Sequence, residues 1–204
     1  MSDSEVPQDP NGPQDVHQVR QQHVSARVPE GVSRGVFSNG VIVMAGGNEF
    51  IIDFIQNLGN PPQVAARVVM PHATLPQFIE ALKKNIELYQ QRFGEIPELP
   101  RAAQQARQQT PQEVYDELKL PDAMLPGSYA NGVMIGHSAS EFKFDFLTNL
   151  FPHPAVSERV FLSGPQVPRM LESLQRNYDQ FVERVKQQQK QDPPPPPAED
   201  EPLA

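Results

Sequence analysis

Paired acids are the first residues in this chain whose types and spacing could do chemistry. Glu49 and Asp53 recur as Glu141 and Asp145, and each pair is followed downstream by an arginine, Arg67 or Arg159. Glycoside hydrolysis uses two carboxyl groups held roughly 5–9.5 Å apart. Both pairs here fall in stretches of alternating polarity, and four strand steps span about 13 Å. That spacing argues against a glycosidase-type pair. The bland alternative is cross-strand pairing, Asp53 with Arg67 and Asp145 with Arg159, a contact that contributes up to about 1 kcal/mol. A binding surface built on the same residues is the sharper one.

Other candidates are thinner. Asn85 and Arg92 share one flank of a helical stripe, and Asn177 with Arg184 repeats them. The expected role of each Asn is a bond from the helix edge to a sheet or loop backbone, with the Arg solvated; a polar border of an interface or an anion site is the alternative. His17, His23, His72, His137 and His153 are scattered, without an HExxH context, so no metal site is expected. His72 and His137 fall in turns or just before a helix, where a solvated histidine is ordinary. Gly46-Gly47 precedes a strand rather than a helix and lacks the following Lys-Ser/Thr, so it is no phosphate loop. With no nucleophile–base pattern and no cysteine, neither enzymatic activity nor a cofactor is expected.

The elements that must position these residues are written twice. Shifted by 92 positions (131 − 39 = 92), Asn39-Gly40-Val41 falls on Asn131-Gly132-Val133, Glu49-Phe50 on Glu141-Phe142 and Asp53-Phe54 on Asp145-Phe146. The match continues through Arg67-Val68 and Arg159-Val160 into Asn85 and Asn177. Such self-similarity over many ungapped residues is the mark of duplication.

Each copy reads as β-β-β-α. Val41 to Ala45 is apolar and β-branched, and "GGN" then supplies residues that tolerate positive φ in a tight hairpin, where the second copy has "HSAS". Phe50, Ile52 and Phe54, like Phe142, Phe144 and Phe146, point to one sheet face. Val64, Ala66, Val68 and Met70 follow on a third strand. The helices carry apolar stripes, Leu75 to Phe93 and Val167 to Val185, spaced for packing on a sheet. Pro76 and Pro168 suit a first helical turn, and Gly94 suits a helix end. A unit of about 60 residues has a marginal core alone. The predicted fold is therefore α+β, two tandem β-β-β-α repeats forming an intramolecular pseudo-twofold pair.

Composition supplies the boundaries. Residues 1–30 have few large apolar groups to offset an ordering entropy of roughly 1–2 kcal/mol per residue, and read as a disordered tail. The first repeat is predicted over 31–94 and the second over 126–187. The linker, 95–125, holds a short helix capped by Thr110, Pro111 and Glu113, which carries Val114, Leu118 and Leu120 and stops at Pro121. Residues 188–204 form a Pro-rich acidic tail, with Pro193 to Pro197 read as a spacer. No stretch approaches the roughly 20 apolar residues of a membrane span. The N-terminus lacks the pattern of a signal peptide, and the net charge is −8. A cytoplasmic chain without membrane partners is expected, with bulk electrostatic binding of nucleic acid disfavoured.

The hairpins with Tyr129-Ala130-Asn131, Ser138, Glu141-Phe142 and Asp145-Phe146, matched by Phe37-Ser38-Asn39, Glu49-Phe50 and Asp53-Phe54, resemble a bacterial family, domain of unknown function 3467. The first copy departs at Gly46, where Ser is usual, and two copies in one chain depart from the usual single one. The resemblance implies a small paired α+β module and no reaction. Members with genes beside an RNA polymerase subunit point towards transcription.

The expected function is thus a non-enzymatic protein-interaction module that uses a sheet face or edge. Ile51, Ile55, Val69 and Phe161 stand on the face left over by the core pattern, either exposed or buried between the repeats. The alternative is a transcription-associated or nucleic-acid-binding factor with a basic face from Arg67, Lys83, Lys84, Arg92, Arg159, Arg169, Arg176 and Arg184. A monomer that is its own pseudo-dimer, or a weak homo-oligomer, is expected.

Overall fold

The computed structural model describes residues 26–99, 111–150 and 152–191. The first copy comprises α1 (Glu30–Ser33), β1 (Val36–Ser38), β2 (Gly40–Ala45), β3 (Glu49–Gln56), β4 (Gln63–Pro71) and α2 (Leu75–Phe93). The connector contributes α3 (Pro111–Asp116) and a 3-10 turn, Asp122–Met124. The second copy follows with β5 (Ser128–Tyr129), β6 (Gly132–His137), β7 (Glu141–Thr148), β8 (Ala155–Ser163), a 3-10 turn and α4 (Val167–Gln191).

These strands form two four-stranded sheets. The N sheet has the order β2-β3-β4-β5 and the C sheet β1-β8-β7-β6. Within each, the hairpin strands run antiparallel, and the register slips at equivalent places, Phe54/Ile55 and Phe146/Leu147. The repeat unit has one strand more than the β-β-β-α pattern. The extra strand is exchanged: β1 of the first copy lies parallel to β8, and β5 of the second lies parallel to β4. These strands span only three and two residues, too short for an alternation pattern to announce them.

The exchange depends on backbone geometry. Gly35 and Gly127, again 92 apart, take φ of 66° and 67°, a region costly for residues with a Cβ. A Cβ would fall 2.6 Å from Arg159 Cγ at the first and 2.7 Å from Val69 Cγ2 at the second. The "GGN" hairpin needs no positive φ, contrary to expectation. A Cβ on Gly46 would lie 2.5 Å from the Glu49 carboxylate, which would have to swing aside as Glu141 does for Ser138 at the twin position. Upstream of each glycine the symmetry continues. Arg27 bridges Ala155 through bonds to Pro154 and Val156, as Lys119 bridges Gln63 through Pro62 and Val64. The paired structure thus begins inside the predicted tail 1–30, and α4 runs beyond the predicted boundary at 187. The rest of both tails, the polyproline run and the predicted cap Thr110 lie outside the described residues.

The inner sheet faces and both helices share one core, in which Phe50, Ile52, Phe54, Phe142, Phe144 and Phe146 are fully buried. Equivalent rings meet at the pseudo-axis, with Phe54 and Phe146 centroids 5.5 Å apart. Helices are exchanged as well. On α2, Phe78 packs edge-on against Phe144 and Phe146, Tyr89 stacks on Phe142, and the Tyr89 hydroxyl donates to the Ala139 carbonyl at 2.7 Å. On α4, Phe181, the twin of Tyr89, packs against Phe50. Each helix therefore covers a sheet of the other copy. Each large side chain so buried contributes roughly 1.5–3 kcal/mol, and the ring contacts of Phe78, Tyr89 and Phe181 cross between copies.

Candidate functional site

Because successive strand residues alternate in direction, burying Phe50, Ile52 and Phe54 turns Ile51 and Asp53 to the outer face. There the strand register sets Asp53 beside Arg67 and Asp145 beside Arg159. Arg67 grips Asp53 with two bonds of 2.7 Å, from Nε and Nη2. Arg159 grips Asp145 at 2.6 and 3.0 Å. The structural pairing read from the sequence is thus present in both sheets.

The third partner of each aspartate differs. Asp53 accepts a hydrogen bond from the Tyr115 hydroxyl, and the Arg67 guanidinium lies 6.0 Å from the Tyr115 ring centre. Burial, reinforced by the bond to Asp53, pushes the Tyr115 phenol well above its ordinary value. The bond to Asp53 likewise raises Arg67. Asp145 instead meets Lys143 Nζ at 3.0 Å, while Arg159 Nη1 donates to the Ser33 carbonyl at 3.0 Å. Burial works against ionising Asp145, but bonds from Arg159 and Lys143 and their charges outweigh it and hold the carboxyl below its ordinary value.

Tyr115 was not among the predicted site residues. An aromatic in an otherwise polar connector was the available signal. It sits on α3, the predicted short helix, while the side chain of Val114 lies outside the described residues. Beside it, Glu117 and Leu118 close a hollow of about 540 Å³ against Asn39, Ile42 and Ile55.

Several candidates hold the frame. Asn39 and Asn131 each accept from a backbone N–H, of Asn57 and Asn149, at 2.7 Å. Glu141 accepts from the Ser138 hydroxyl at 2.9 Å within its hairpin, and Glu49 flanks the equivalent turn. Asn85 and Asn177 bond the carbonyls of Ala81 and Ser173, one turn back in their own helices. Among the described residues neither makes the expected bond to sheet or loop backbone. Arg92 and Arg184 are exposed, with Arg92 over the Phe93 ring at 5.1 Å.

His72 and His137 are not solvated turn residues. His72 packs 4.0 Å from Phe181, and His137 lies among Tyr89, Phe93 and Phe142. His72 Nε2 and His137 Nδ1 are buried without a hydrogen-bond partner among the described residues. Burial and the charge of Arg92 lower the His137 pKa. His17 and His23 lie outside the described residues.

Of the apolar outer-face residues, Ile55 is buried at 6% exposure, while Ile51, Val69 and Phe161 are partly exposed. Their row on the N sheet is Met44, Ile51, Val69 and Tyr129; the equivalent row on the C sheet is Gly136, Lys143, Phe161 and Phe37. The sheets meet through their inner faces, so these rows are not buried between the repeats. Among the described residues no group of three or more His, Cys, Asp or Glu could hold a metal, and no helix is long and apolar enough to cross a membrane.

No curated protein matches the chain. The family model described as protein of unknown function (DUF3467) matches it twice, over residues 4–98 and 101–188, which together cover most of its length. The chain therefore belongs to the DUF3467 family, as a tandem pair of its domains.

Proposed function

We propose that this chain is a non-enzymatic protein-interaction module that receives a protein partner on the outer face of the C sheet. The observation that carries this reading is an aromatic pair on that face. Phe37 and Phe161 are register partners on β1 and β8, on the side away from the core, and Phe37 is 41% exposed. An exposed aromatic beside a partly exposed one, rimmed by charge, has the composition of an interface centre. Lys143 supplies such a rim, its side chain 40% exposed. The Asp–Arg pairs neutralise one another, which supports a scaffold role for them over catalysis. The lack of cysteine suits a reducing, cytoplasmic setting.

The nucleic-acid alternative draws on a basic face, yet Arg67 and Arg159 are engaged by buried carboxylates, and Lys83 pairs with Glu80 at 2.8 Å. These engagements favour the protein reading. The test compares proteins retained from nuclease-treated source lysate by the immobilised wild-type chain, Phe161→Asp and a helix control, Leu88→Asp. A saturable partner held by wild type and control, and lost on a Phe161→Asp chain of unchanged circular dichroism, is the expected result. Equal retention by Phe161→Asp overturns the proposal. Retention of nucleic acid in untreated lysate that weakens steeply with salt points to the alternative.

A further inference from the structure

The molecule carries two versions of one surface, and among the described residues one of them is occupied by the connector. On the N sheet, α3 lies over the Asp53–Arg67 pair, with Tyr115 bonded to Asp53 and Leu118 beside Ile42 and Ile55. The segment is acidic, with Glu113 and Asp116 on α3 and Glu117 just beyond its end. The C sheet presents the equivalent pair, Asp145–Arg159, next to Phe37 and Phe161. The segment that corresponds to α3 by the 92-residue shift has His23 for Tyr115, Ala26 for Leu118 and Gln22 for Val114. Its sequence therefore lacks counterparts of Tyr115 and Leu118, the α3-region side chains that meet the N sheet.

The charge of the two faces also differs. Glu49 and Asp53 face Arg67 alone on the N sheet, whereas Glu141 and Asp145 share their face with both Lys143 and Arg159 on the C sheet, one positive charge more than its twin. Lys143 stands where the N sheet has Ile51. From the occupied face and this imbalance, we propose that the C sheet's outer face binds an acidic amphipathic helical segment with an aromatic side chain, supplied by a partner protein. The aromatic seats over the Asp145–Arg159 pair beside Phe161, as Tyr115 does over Asp53–Arg67, and the segment's carboxylates meet Lys143. This rests on the interaction-module reading and names the partner's chemistry; the chain's own connector is the internal example of such a ligand.

The probe is a synthetic peptide of residues 108–121, QQTPQEVYDELKLP, titrated into the isotope-labelled full chain and followed by amide NMR. Saturable shifts centred on Lys143, Arg159 and Phe161 are expected. Affinity should fall at least about fivefold for Lys143→Glu, as for loss of a complementary charge, and less for Lys143→Gln, which spares Asp145 a like-charged neighbour. A peptide with Ala in place of its tyrosine should bind at least about fivefold more weakly, since aromatic anchors dominate such contacts. Absence of saturation at millimolar peptide overturns the proposal. So do shifts confined to Asp53, Arg67 and α3, which mean that the peptide only exchanges with the connector. A lysate partner still lost on Phe161→Asp would leave the interaction-module reading standing without this ligand class.

Discussion

The two outer faces began as one sequence and now solve one electrostatic problem in two ways. On the N sheet the third contact to the buried aspartate comes from outside the sheet, through the Tyr115 hydroxyl of α3. On the C sheet it comes from the neighbouring position on the same strand, through Lys143. A neutral donor on a docked helix leaves the pair deeply covered, with Asp53 at 0% exposure. Asp145 is buried almost as fully, at 2% exposure, but its third partner is a lysine of the same strand that stands partly in water. The carboxylate–guanidinium pair is thus the constant of the fold, and its third partner is what duplication left free to diverge.

Cutting each pair tests the difference most severely. Asp53→Ala strands Arg67 and the Tyr115 hydroxyl under α3 and should cost about 3 kcal/mol in urea unfolding. Asp145→Ala should cost roughly half that, because Lys143 can turn to solvent. Equal losses would erase the distinction. Tyr115→Phe removes only the hydroxyl and should cost about 1 kcal/mol, with faster proteolysis in the connector. Lys143→Met removes a half-exposed charge and should cost no more than about 0.5 kcal/mol.

Acid titration sharpens the contrast further. The folded Asp145 carboxyl titrates below its unfolded value of about 3.9. The stability it contributes is therefore present above that pH and lost as pH falls through the lower folded value. The margin of wild type over Asp145→Asn should shrink along that descent, read by unfolding at successive pH values. A second titration marks the far end of the C sheet. His137, whose twin is Ala45, has its folded pKa lowered, so protonation favours the unfolded chain. Stability should fall as pH drops below about 6.5, and His137→Phe should flatten that slope.

Much of this was legible in the residues. The alternation of Phe50, Ile52 and Phe54 gave the buried face, the helical stripes gave α2 and α4, and the spacing of Asp53 and Arg67 fitted neighbours on paired strands. What stayed hidden was which copy covers which. Periodicity tells that Phe78 is buried, but two near-identical sheets offer it the same reception, and only three-dimensional packing decides for Phe144 and Phe146. The exchanged strands were hidden for a different reason: two or three residues carry no period. Tyr115 was missed because its partner is distant in sequence and its own segment is polar. The histidines were misjudged because a turn position says nothing of the aromatic side chains that close over it.

The crossing of α2 to the C sheet has a consequence for biosynthesis. When the ribosome has delivered residues up to Phe93, the surface meant to receive Phe78 and Tyr89 has not been translated. The nascent first copy must carry an uncovered aromatic stripe until β6 and β7 emerge, and it gains its own lid only when α4 follows. Vectorial synthesis usually lets the leading part settle first; here the leading part waits for the trailing one.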